Sequence, residues 1–432
     1  MSLASQIEGQ MDQTVRPQAD GLADSLIRVN GLSYKMPSNM SVCVSRSMKR
    51  SYANLDSYNQ GGKIIITWNS GAEYVNGMNS YLTFDAQVDA GTCNLGSGSA
   101  INFIDNVTIN SIQGTEVDRV EGVNAYRRDM DRHTYSQDWI NNQGTVMGYG
   151  SNEVNEIGAL GGTTGQTVPV EITVTPKRFC IPLSKICGLC NTSVLLPSML
   201  AGGLRFEIKL APLFNALQQK TGTGPTTKYT LTNVNMHLDS YQLADSIQKR
   251  LMQESSANGL EFYYETYDRT RHNISSSNKA NITVRKAVSR ALSAFAKTRR
   301  TASIDDPTKD SMASEVNDVT GFFWRLGSLN FPNQKLLDKT EQYYYAQYVF
   351  NKFTKPHQSN SVSLDDFKGD EGLVTVTLER SSVLMLSGLP VNNSRTLQVE
   401  LDYGSPQDRD IDIYMHYLQL ARVFPSNILV KE

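Results

Sequence analysis

Short runs of alternating apolar and polar positions dominate the chain from about residue 41 onward. "SVCVSRS" (41–47), "KIIITWN" (63–69), "YLTFDAQVDA" (81–90) and "NVTINSI" (106–112) carry the period of two that sets one strand face against a core. Loops such as "NLDSYNQGG" and "GTCNLGSGS" separate them. In "GTEVDRVEGVNAYRRDMDRH" the period becomes helical. Val117, Val120, Val123 and Met130 predict a single apolar stripe along one helix. After the glycine-rich "GALGGTTGQT", alternation returns in "PVEITVTP" (169–176), "RFCIPLS", "LRFEIKLAP" and "KYTLTNVNMHLDSYQL".

"LADSIQKRLMQESS" (243–256) has no Gly or Pro inside it and predicts a helical linker. Beyond it the plan repeats. "GLEFYYETYDRT" and "NKANITVRKAVSRALSAFAKTRR" read as strands, the second long enough for a bulge or a bend, and "GFFWRLGSLNF" follows. A helix follows in "DKTEQYYYAQYVFNKF", with Tyr343, Tyr344, Tyr348 and Phe350 among its large residues. "EGLVTVTLER", "RTLQVELDY" and "RDIDIYMHYLQLARVF" close the chain as strands. Each half thus runs strands, strand and helix, then strands, without the strand–helix alternation of a parallel sheet. The expectation is an all-β protein of two tandem sandwiches with a few short helices. Residues 1–25 are polar, lack strand-length alternation and predict an N-terminal arm.

Composition narrows the function. The 432 residues exceed one ordinary core, and 39% hydrophobic with 19% charged residues excludes a disordered chain. A net charge of −2 gives no global drive toward nucleic acid. The N-terminus lacks the charged-then-apolar pattern of a secretory leader, and no run of about 20 apolar residues suggests a membrane helix.

Five cysteines, an odd number, fit free thiols in a reducing compartment. Cys187 and Cys190 have the spacing of half a zinc site, with Cys180 nearby. No second pair completes four ligands, and the five histidines stand singly. Packing thiols are therefore expected, with metal binding and redox chemistry as the weaker readings. Asp305-Asp306 and Asp365-Asp366 are paired acids of the kind glycoside hydrolysis uses, but adjacent acids in a strand point opposite ways, and in polar loops they are most often solvated. No nucleophile elbow, phosphate loop or metalloprotease motif occurs. No catalytic, cofactor-binding or metal residue is assigned, and a non-enzyme is expected. Residues 281–300 carry Arg285, Lys286, Arg290, Lys297, Arg299 and Arg300 without an acid. They read as a solvated strand face or subunit contact, with nucleic acid or an anionic membrane as the alternative.

Three stretches resemble the double-jelly-roll major capsid proteins of DNA viruses, the lineage of nucleocytoplasmic large viruses and adenovirus hexons. Ile181-Pro182-Leu183, Leu195-Leu196-Pro197 and Leu204-Arg205-Phe206-Glu207-Ile208 follow the strand–loop–strand signature of the first roll. Ser184-Lys185-Ile186 stand where the large-virus pattern has aromatics, which makes the chain more similar to polinton-like viruses and virophages. "INSIQGTEVDRVEGVN" and "WRLGSLNFPNQ" (324–334) resemble further passages of those capsids.

The resemblance implies two tandem eight-stranded jelly rolls, at 26–242 and 257–432 around the linker 243–256. It implies a homotrimer forming a pseudo-hexagonal capsomer of an icosahedral virion, assembled inside the host cell. Partners would be neighbouring capsomers, penton and minor capsid proteins, with an inner membrane as a contact for the arm and no specific nucleic-acid sequence. The competing expectation is a tandem sandwich that binds carbohydrate or a receptor, which would need a shallow groove lined by exposed Trp or Tyr; only three Trp occur, Trp68, Trp139 and Trp324, two of them in apparent strands.

Overall fold

The structure is a computed structural model, and it describes residues 43–68, 73–95, 98–150, 170–197, 203–304, 306–314, 318–350, 359–380, 388–392, 394–424 and 428–431. The expected arm, the glycine-rich loop "GALGGTTGQT" and Asp305 lie outside them. Ser45–Glu432 form one compact unit, and the account below concerns it.

In the first half, eight main strands follow one another. They are β1 (Cys43–Tyr52), β2 (Lys63–Trp68), β3 (Tyr74–Val88), β4 (Ile104–Ser111), β5 (Glu116–Glu121), β6 (Lys177–Pro182), β7 (Leu204–Leu210) and β8 (Tyr229–Leu243). They pair in two sheets, β1-β8-β3-β6 and β2-β7-β4-β5. Apart from the neighbours β4 and β5, consecutive strands thus cross between sheets, as in a jelly roll. The alternation explains the packing. Ile64, Ile66 and Trp68 of β2 turn inward, and Phe206 lies between Ile66 on one neighbour and Ile109 on the other. Phe84, Phe103 and Phe179 meet them from the facing side of the same core.

A helix, α1 (Val123–Thr134), separates β5 from β6, and α2 (Asp245–Ala257) leads out of β8. The second half then uses fewer, longer strands. They are β9 (Leu260–Thr283), β10 (Val288–Arg300), β11 (Val319–Leu326), β12 (Leu329–Leu336), β13 (Val374–Thr377) and β14 (Leu397–Val423), with α3 (Lys339–Val349) after β12. β9 and β14 pair from Leu260↔Val423 to Thr283↔Gln398, with register breaks between Ile274 and Lys279. Those breaks mark a corner, where Ser276 takes a left-handed φ of 44°.

On one side of the corner the order is β9-β14-β10-β13. On the other it is β9-β14-β11-β12. Each long strand therefore serves both sheets, and the halves of β9 and β14 stand in for four strands of an eight-stranded roll. A second core, with Phe322, Trp324, Val399, Leu401, Ile411 and Ile413, lies between these sheets.

Two expectations about single elements in the first half need correction. The apolar stripe from Val117 to Met130 is not one helix: Glu116–Glu121 is a strand, and only Val123–Thr134 is helical. Gly122, at φ 62°, makes the turn between them, and added side-chain atoms there would meet Tyr414 and Arg269. "PVEITVTP" forms only the short strand Glu171–Ile172.

Candidate functional site

The densest polar chemistry in the described residues sits where the two rolls meet, and β5 and α1 place it there. Tyr264 of β9 donates to the Val117 carbonyl at 2.7 Å, and Thr266 donates to buried Asp118 at 2.8 Å. Burial pushes the Asp118 carboxyl up to about 6. Tyr414 of β14 donates to the Gly122 carbonyl at 3.3 Å. Tyr126, one helical turn on, stacks on Tyr267 with ring centroids 3.5 Å apart, and Phe295 and Tyr414 close around it. The Tyr126 hydroxyl is hydrogen-bonded to His416 Nε2, and burial raises that phenol well above its usual range.

The next turn of α1 is ionic. Arg128 contacts Asp129 at 2.9 Å and Glu371 at 2.7 Å, and Lys297 of β10 donates to Asp129 at 2.8 Å. Lys297 and Asp129 are each fully buried. Burial pushes the Lys297 ammonium down to about 8, against the pull of Asp129. Arg132 reaches Glu371 at 3.0 Å, and His133 Nε2 donates to the Glu371 carbonyl at 2.9 Å. On the face toward the first roll, Asp131 accepts from Lys185 at 2.6 Å and Tyr149 at 2.9 Å. A charge taken out of water must find partners, and here charges from both rolls are interlocked.

The cysteine stretch forms another part of this seam. Cys187 and Cys190 are buried, carry no disulfide, and the Cys187 thiol is pushed well up by burial. Between them Gly188 lies so close to β9 that a Cβ would stand 2.0 Å from the Glu265 carbonyl oxygen. Gly77 of β3 receives Cys190 in the same way, with 2.7 Å to its Cα. The pair marks a place where three backbone segments touch.

Strand order, the crossing between sheets and the corner of β9 and β14 can be set against solved structures. The chain aligns with the PBCV-1 VP54 structure fitted into a reconstruction of the virophage Sputnik at a TM-score of 0.56 and 12% identity, covering 92% of this chain and 99% of that one. The Faustovirus major capsid protein gives 0.59 at 9% identity, covering 92% and 94%. The mavirus major capsid protein gives 0.52 at 11%, covering 92% of each chain. This chain is a double jelly roll. No protein-family model matches it, and no curated protein matches it in sequence.

Within the double jelly roll, the residues weighed for chemistry are scattered. Among the described residues no cluster of His, Cys, Asp and Glu could hold a metal ion. Asp306 caps a local turn through Thr308, and Asp366 completes a capping box with Ser363 on the short helix Leu364–Lys368. Trp68 and Trp324 are buried in the two cores, and Trp139 packs on Tyr135, so the three line no common groove.

The basic stretch is divided. Lys297 is buried in the seam and Arg299 is buried against Asp412, which corrects their reading as a solvated face, while Arg285 and Arg300 are exposed. Sequence reasoning missed Arg128, Asp129 and Glu371. The pairs that cross the seam, Arg128 with Glu371 and Lys297 with Asp129, are too distant along the chain for any local pattern to signal them. Chemically, the seam holds the rolls in one orientation.

Proposed function

We propose that this protein is the major capsid protein of an icosahedral virus, three copies of which form a pseudo-hexagonal capsomer. The observation that carries the reading is the pair of complete jelly rolls in one chain, locked by a buried seam. Three such chains bring six rolls together, which approximates a hexagon and tiles a facet through closed, self-complementary contacts. The described neighbours are major capsid proteins by name. A non-enzymatic role follows, with the virion as its location.

The division at 26–242, 243–256 and 257–432 fits α2 standing between β8 and β9. Neighbouring capsomers, penton and minor capsid proteins are the partners this role requires, and residues 1–25 would contact them or an inner membrane. Light scattering tests the reading: the 48.0 kDa chain should run at three times its mass. A strict monomer at micromolar concentration that never assembles on crowding would refute it. Deleting residues 1–24 should leave the trimer intact and impair shell formation. Normal shells from the truncated chain would remove the arm from the partner contacts.

A further inference from the structure

The charged stretch that begins at Arg285 has a second consequence, through residues the seam does not use. Arg285 and Lys286 follow the end of β9, and the corner in that strand returns them to the side of Arg269, Arg271 and His272. Together these five line a cleft of about 640 Å³, in which Asp268 is the one acid among the described lining residues. The volume lies within the roughly 300–1,000 Å³ typical of small-molecule sites. Such a charged lining disfavours an apolar ligand, because covering those groups without pairing them costs free energy.

The surplus of positive charge is built into the wall. Arg269 and Arg271 donate through Nε to Asp412 at 2.8 and 3.1 Å, and Arg299 reaches its other oxygen at 2.5 Å. One buried carboxylate is thus shared by three guanidinium groups. The arginines hold Asp412 well below the usual carboxylate range despite its burial, so it is ionised and cancels one charge of the three. Arg271 is half exposed and Arg285 exposed. With a net charge of −2, the chain as a whole offers no such field.

We propose that this cleft is a binding site for an oligophosphate anion, either a free phosphate chain or the triphosphate of a nucleotide. Guanidinium forks match phosphate oxygens in pairs, and cations drawn from two chain segments suit a ligand with more than one phosphate group. Single-stranded nucleic acid fits less well, because it binds over aromatic platforms and no Phe, Tyr or Trp is among the described lining residues.

Calorimetry on the full chain at low salt tests the site, with sodium tripolyphosphate and ATP as separate arms and the exposed Lys249→Glu as a control outside the cleft. Saturable binding is expected, weakening with salt, with Kd raised about tenfold or more by Arg285→Glu and unchanged by Lys249→Glu. Equal affinity in the two arms assigns the site to the phosphate chain, and tighter ATP binding adds a contribution from the base. Absence of saturable binding, or equal losses in the two variants, overturns the proposal. So does an oligothymidylate that binds through Arg285 while tripolyphosphate does not.

Discussion

Lys297 shows how much of this molecule depends on single side chains at the seam. Its ammonium is fully buried between Asp129 and the Met312 carbonyl, so removing it leaves Asp129 with Arg128 as its remaining ion partner among the described residues. Lys297→Ala should cost about 3–5 kcal/mol, the usual penalty for breaking one side of a buried pair. Denaturant midpoints check this, and a loss no larger than that of an exposed lysine would refute it. Gly188 offers a second measure. Its neighbour is the Glu265 backbone, which cannot move aside as a side chain can. Gly188→Ala is expected to lose about 2–3 kcal/mol by overpacking. Replacing Cys187 and Cys190 with Ser should lose roughly 1–2 kcal/mol through lost apolar packing. If the thiol variants prove the more damaging in the same unfolding assay, the glycine is not the critical contact.

The elements separate what the chain announces from what it conceals. Alternation revealed β2, β4 and β7 because one face of each meets a core and the other meets water. It failed along β9, which read as two strands. From His272 to Lys279 both faces are largely exposed, so nothing there selects apolar residues although the backbone stays extended. β14 was split for the same reason, between Gly404 and Gln407. The false stripe from Val117 to Met130 arose because a strand and a helix bury residues at matching intervals on either side of Gly122. The seam was invisible because Arg128 and Glu371, or Lys297 and Asp129, announce a pairing only after folding. At the corner of β9, the left-handed φ of Ser276 is held by its amide on Asp408 at 2.8 Å. Ser276→Val should destabilise by about 1–2 kcal/mol, whereas Ser276→Gly should change little. Equal thermal midpoints for the two variants would rule out strain at the corner.

At the scale of the whole molecule, the seam makes stability depend on acidity. His133 is buried and His416 half-buried, and loss of solvation pushes each down to about 4 from an ordinary 6.5. Between those values the unfolded chain binds protons that the folded one refuses, so their contribution falls as pH drops from 6.5 to 4. Asp118 and Glu371 act in the opposite sense, since burial raises both. His416→Gln should therefore lose less stability than the parent across that window, by on the order of 2–3 kcal/mol. Parallel pH profiles of melting temperature would exclude His416 as the cause. The long strands β9 and β14 have a mechanical consequence as well. From Leu260 to Ile274 alone they run side by side for roughly 50 Å. Tension along them loads the hydrogen bonds in shear and all at once, while tension across them peels one bond at a time. The second roll is thus a stiff tie in one direction and a weak one at right angles. Single-molecule pulling along the two axes should give distinctly higher rupture forces in the first, and equal forces would show that the load passes elsewhere.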